Sequence, residues 1–139
     1  MKLLGLDIGD QWTGIAISDD LHIIASPHHT VASKYLESTL TKLFGTEKIQ
    51  TVVVGYPITM KGTESDQTRK VVAHKEELAQ LFPFIEWVLW DERLSSKQAN
   101  AIKHAKTKEE KLKQHSMAAA LILKSYLDHL AYKKDLAGS

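Results

Sequence analysis

The chain has no cysteine, only three prolines, no long apolar run and no excess of either sign of charge. Without cysteine there is no disulfide scaffold, no thiolate zinc site and no Cys nucleophile, and the composition is compatible with a reducing compartment. No apolar stretch approaches the roughly 20 residues that span a bilayer. The opening MKLLGLDIGD meets an acid at Asp7, too early for the apolar core of a signal peptide. These absences predict a soluble, cytoplasmic protein with no membrane partner. Eighteen Lys and Arg oppose seventeen Asp and Glu, a net charge of +1, so bulk charge does not coat this chain onto DNA or RNA. A nucleic-acid contact would need a local site. A GxxxxGKS or GxxxxGKT phosphate loop, a GxSxG elbow and zinc-type histidine spacing are missing too.

What is present suits one folded domain. Of 139 residues, 43% are hydrophobic and 25% charged, close to globular averages and enough for a self-sufficient core. Three short apolar runs, Lys2–Ile8, Gly14–Ser18 and Ile23–Ala25, are separated by turn residues and read as an antiparallel meander ended by Pro27. From Ser33 the period changes: Leu36, Leu40 and Leu43, with Tyr35 and Phe44, mark a helix that Gly45 terminates. The β-branched run Thr51–Val54 predicts a strand buried on both faces, with Gly55-Tyr56-Pro57 as its stop. After a loop at Ile58–Glu64, a helix is expected from about Ser65 to Phe82, closed by Pro83, then a strand over Glu86–Trp90. Ser95-x-x-Gln98 fits a capping box for a further helix. Lys103–His115 has little apolar content and reads as a mobile loop, before a last helix from about Ser116 to Tyr132. The order predicts an α/β fold, a mixed sheet with helices on both faces, in one domain over residues 1–132 with a frayed polar tail at 133–139.

Acids stand where such a sheet gathers ligands. Asp7 lies inside the first strand, where a carboxylate is costly unless it caps a turn or holds a cation. Asp91 and Glu92 follow the strand EWVLW at the exit of an expected parallel neighbour, the region where α/β sheets bind ligands. Asp7 and Glu92 together supply hard oxygen donors for a divalent ion. Asp91 is assigned to holding Arg93, which either makes that structural pair or touches phosphate. His115 is expected to open the last helix, on a face shared with Ala118, Ala119, Ile122 and Tyr126, either as a boundary residue or as a third ligand. The lysines at 103, 106, 108, 111 and 113 are offset by Glu109 and Glu110. They are either merely solvated or form a basic flap that engages a phosphate backbone.

The segments LDIGDQWTGIAISD, VVVGYPITMKGTES, WDERLSS and HSMAAALILKSYL, in this order, resemble the YqgF family from Lys2 to about Leu127. That family comprises pre-16S rRNA nucleases, also described as Holliday-junction-resolvase-like, with a ribonuclease H fold. The resemblance implies a metal-dependent nuclease that hydrolyses phosphodiesters, most simply at the 5' end of pre-16S rRNA. It also implies Mg2+ or Mn2+ as cofactor, and pre-rRNA, branched DNA or ribosomal particles as partners, with the chain a monomer or homodimer. Asp7 matches the family's first catalytic acid and Glu92 the acid of its DER motif. The third acid falls at His115, which would favour Mn2+ over Mg2+. A basic pair usual after the first strand is replaced by Asp10-Gln11-Trp12, where Trp12 would stack on a base. Arg93, Lys108, Lys111 and Lys113 complete the expected nucleic-acid contacts. The alternatives are a degenerate member that binds RNA or ribosomes without cutting, and a resolvase of branched DNA.

Overall fold

The structure is a computed structural model and describes residues 1–59, 61–95 and 107–138. Five strands form one sheet: β1 (Lys2–Ile8), β2 (Trp12–Ser18), β3 (Ala25–Ala32), β4 (Ile49–Tyr56) and β5 (Glu86–Asp91). Their spatial order is β3-β2-β1-β4-β5, with β2 antiparallel to both β1 and β3, and β4 parallel to both β1 and β5. The helices are α1 (Leu36–Thr46), α2 (Asp66–Leu81) and α3 (Lys108–Gly138).

Strand alternation sorts the core into two layers. Leu4, Leu6 and Ile8 of β1 pack with Leu36 and Leu40 of α1 and Val71 and Leu78 of α2. Leu3, Val53 of β4 and Ala16 of β2 pack on the other face against Ala119, Leu123 and Leu127 of α3. β4 is buried on both faces, as its β-branched run predicts. Helix α3 lies unusually low on the sheet because glycines floor its path. A methyl group on Gly5 would stand 2.7 Å from the Ala119 carbonyl oxygen, and one on Gly14 would overlap the His115 carbonyl.

Several expectations are corrected. The strand over Glu86–Asp91 is parallel to β1 but is not its neighbour, because β4 stands between them. The third strand runs over Ala25–Ala32, not Ile23–Ala25, and contains Pro27. Ile23 and Ile24 are instead held in a turn, both amides donating to Asp19 Oδ1 at 2.8 and 3.0 Å. Pro27 is tolerated because β3 is an edge strand with an irregularity opposite Ile15 and Ala16, so no ladder bond need be lost. Gly45 does not end α1, which continues through Thr46, and β4 runs from Ile49 through Gly55 to Tyr56. The last helix begins at Lys108, so the second half of the expected loop is helical. Thr107 and Glu110 form a capping box there: Glu110 N donates to Thr107 Oγ1 at 3.0 Å and Thr107 N to Glu110 Oε2 at 3.4 Å. Lys, Glu, Gln and Leu are strong helix formers, which outweighs the low apolar content of KEEKLKQH. The same helix extends through the expected tail to Gly138. The helix expected from Ser95-x-x-Gln98, together with Lys103 and Lys106, lies outside the described residues.

Candidate active site

Asp7 and Glu92 approach from opposite sides of β4. Asp7 follows Leu3 and Gly5 in the β1 alternation, so its half-buried side chain faces α3. Glu92 begins the 3-10 turn Glu92–Ser95 directly after β5. Asp91, one residue earlier, builds that turn: its Oδ1 accepts from the Arg93 amide at 2.9 Å, and its Oδ2 accepts from Arg93 Nε and Nη2 at 3.0 and 2.7 Å. This charge-assisted fork holds the Asp91 carboxyl below the usual carboxylate range, the bond to Arg93 being the chief cause. The assignment of Asp91 to Arg93 therefore holds.

The carboxyls of Asp7 and Glu92 hydrogen-bond to each other. Two carboxylates in contact cannot both be ionised without strong repulsion. Burial, then the charge of Asp7 and the bond to it, push Glu92 up to about 8. Burial also raises Asp7, opposed by the bond from Glu92 and by the charge of His115. At neutral pH the pair thus keeps one proton between its two carboxyls. Two hard oxygen donors sharing one proton fit a divalent cation, which would take that proton's place.

His115 does not open its helix. It sits in the third turn of α3, half-buried, its carbonyl against Gly14, whose strand partner is Asp7. Its charge reaches Asp7, but among the described residues no group of three or more His, Asp and Glu side chains is assembled to hold a metal.

Trp12 begins β2 two residues before Gly14, hence on the α3 face, and is half-buried. It lines an opening of about 370 Å³ with Asp10, Gln11, Ala32 and Lys34. Asp10 pairs with Lys70 at 3.6 Å, so the acid in this turn has a cation from α2 beside it. Lys108, Lys111 and Lys113 are exposed on the first turns of α3, on helix rather than on a flap. That end of α3 is tied to the edge strand by Thr30 Oγ1, which donates to the Leu112 carbonyl at 2.6 Å. Thr30 pairs with Gly14 and Gly14 with Asp7, so this end stands two strands, roughly 10 Å, from the acid pair.

Sequence reasoning passed over the glycines. The sequence alone marks Gly55 only as part of a strand stop, yet it touches Glu92. The signal was available: a glycine inside a β-branched strand marks a close approach, and Ala118-Ala119-Ala120 supplies a small-residue helix to match.

Residues 1–129 match the family described as RuvX, Holliday junction resolvase. A protein of Rubrobacter xylanophilus is 32% identical over 91% of this chain and 92% of its own length. One of a Sulfurihydrogenibium species is 35% identical, covering 96% and 94%, and one of Staphylococcus aureus is 35% identical, covering 93% and 96%. All three carry the name "Putative pre-16S rRNA nuclease". Among solved structures, RuvC of Thermus thermophilus bound to a Holliday junction superposes with a TM-score of 0.58 over 91% of this chain and 93% of RuvC, at 12% identity. A second RuvC structure from that organism gives 0.55. At that identity the likeness establishes the ribonuclease H-like fold.

Proposed function

Since the chain belongs to the RuvX family of Holliday junction resolvases, we propose that it is a divalent-metal-dependent nuclease of the cytoplasm that hydrolyses phosphodiester bonds at the 5' end of pre-16S rRNA. The observation that carries this reading is the contact between Asp7 and Glu92 at the ends of β1 and β5. The substrate rests on the names of the relatives; RuvC, with its Holliday junction, makes branched DNA the other substrate to test.

In this reading Asp7 and Glu92 would hold Mg2+ or Mn2+ through carboxylate oxygens, and the proton the pair shares would be given up to solvent on binding. The ion, when bound, supplies activation of water and neutralisation of charge on the phosphate. His115 ligates alongside the acids or carries a proton between them and solvent. Asp91 keeps Arg93 in its fork, and in this reading that fixed guanidinium meets a phosphate oxygen. Trp12 offers a ring for base stacking, and Lys108, Lys111 and Lys113 meet the backbone farther out.

The test is cleavage of a 5'-extended 16S rRNA transcript and of a four-way DNA junction, each in Mn2+ and in Mg2+. Cleavage of the transcript that disappears in Asp7→Asn is the expected result. Activity no greater than that of Asp7→Asn on both substrates overturns the nuclease reading. It would leave the second reading, an RNA-binding chain that does not cut, which histidine rather than a third acid at position 115 favours.

A further inference from the structure

Asp7 and Glu92 belong to strands that are not neighbours. β4 lies between β1 and β5, and strands are spaced about 4.8 Å apart, so the two backbones are roughly 10 Å apart. A carboxyl after β5 reaches one on β1 only by passing over β4, at the level where Leu6 pairs with Val54 and Trp90 with Gly55. The residue at that crossing is Gly55.

We propose that Gly55 is a positioning residue for the acid pair, its missing side chain being the gap through which Glu92 crosses β4 to reach Asp7. This rests on the nuclease reading for its purpose, though its geometry does not. A methyl group on Gly55 would stand 2.5 Å from Glu92 Oε1, 3.0 Å from Glu92 Cγ and 2.6 Å from Ile122 Cδ1. Ile122, on α3, closes the gap from above, so Glu92 runs in a slot between the strand and the helix. Distances below 3 Å are not adopted by real methyl groups, so the atoms that must give way are the flexible ends of Glu92 and Ile122, at little cost to the fold and at the expense of the carboxyl's position.

The neighbouring glycines show why this one is different. At Gly5 the nearest obstacle is the Ala119 carbonyl, and at Gly14 it is the backbone of His115 and Ser116. Those two serve the close approach of the helix. At Gly55 all three obstacles are side-chain atoms, two of them on Glu92. The helix backbone does not require glycine there, whereas the Glu92 carboxyl does. Displacing that carboxyl takes it off the line to Asp7, since the neighbouring residue of β4 on this face, Val53, carries a side chain.

The experiment is a double-mutant cycle with two readouts. Mn2+ alone is titrated and followed by electron paramagnetic resonance, and thermal stability is measured in EDTA. Gly55→Ala is expected to weaken Mn2+ binding at least tenfold while the protein stays folded. Its loss of thermal stability should vanish in a Glu92→Ala background, where the colliding atoms are gone, and should persist in an Ile122→Val background. Should Gly55→Ala alone fail to fold, the Gly55→Ala/Glu92→Ala protein decides, since it is expected to melt like Glu92→Ala. Wild-type Mn2+ affinity in Gly55→Ala, or a stability loss independent of residue 92, overturns the proposal. A wild type whose Mn2+ binding is unaffected by Asp7→Asn instead counts against the nuclease reading, and the stability cycle still decides the role of Gly55.

Discussion

Glu92 is held in a state that costs the fold stability. Its carboxyl is raised from 4.5 to about 8 by burial and by Asp7, so the folded protein keeps a proton that the unfolded chain releases near 4.5. For a carboxyl raised in this way, the stabilising protonated form is fully present below about 4.5 and is lost as pH climbs through about 8. Metal-free protein in EDTA is therefore expected to lose stability from pH 5 to pH 9 through this pair. Glu92→Gln, which keeps the bond to Asp7 without the proton to lose, should melt near the wild type at pH 5 and at least ~3 °C above it at pH 9. Equal melting temperatures of the two proteins at both pH values would show that Asp7 and Glu92 do not share a proton. Such a cost is expected at a cation site, where binding replaces the repulsion with attraction.

Helix α3 reaches the site because its start was recruited from polar sequence. The capping box of Thr107 and Glu110 satisfies two amide donors that the first turn leaves without partners. Thr107→Ala should cost about 1 kcal/mol. Amide exchange should locate that cost: faster exchange at Lys108–Lys111, with Ala118–Leu123 protected as before. Uniform acceleration along α3 would mean that the box holds the whole helix and not its first turn. The helix crosses β3, β2, β1 and β4 in turn, meeting Thr30, Gly14, Gly5 and Gly55. That path carries His115 past the strand partner of Asp7, while the exposed lysines stay at the far end.

The whole molecule has a net charge of +1, so its affinity for nucleic acid depends on where the cations stand. Replacing Lys108, Lys111 and Lys113 together by Gln should lower the slope of log affinity against log salt by about 2 for single-stranded RNA, leaving the fold intact. An unchanged slope would remove this end of α3 from the interface. Much of this architecture was legible in the chain. The runs LLGLDI and TVVV, the Leu36–Leu40–Leu43 stripe and Ser65 before α2 each state their own element, because burial period and capping are local properties. Asp7 and Glu92 were legible as acids at strand ends for the same reason. Less legible were β3, whose Pro27 is harmless only on an edge, and the first turns of α3, whose polar residues give no burial period. What the sequence by itself determined is the set of elements, the two core faces and the acids worth watching. Only the tertiary structure decided that β4 lies between β1 and β5, that Gly55 leaves Glu92 a path across it, and that His115 lies inside a helix with its carbonyl against Gly14, the strand partner of Asp7. These are contacts between residues far apart in the chain, and no local pattern records which strand stands beside which.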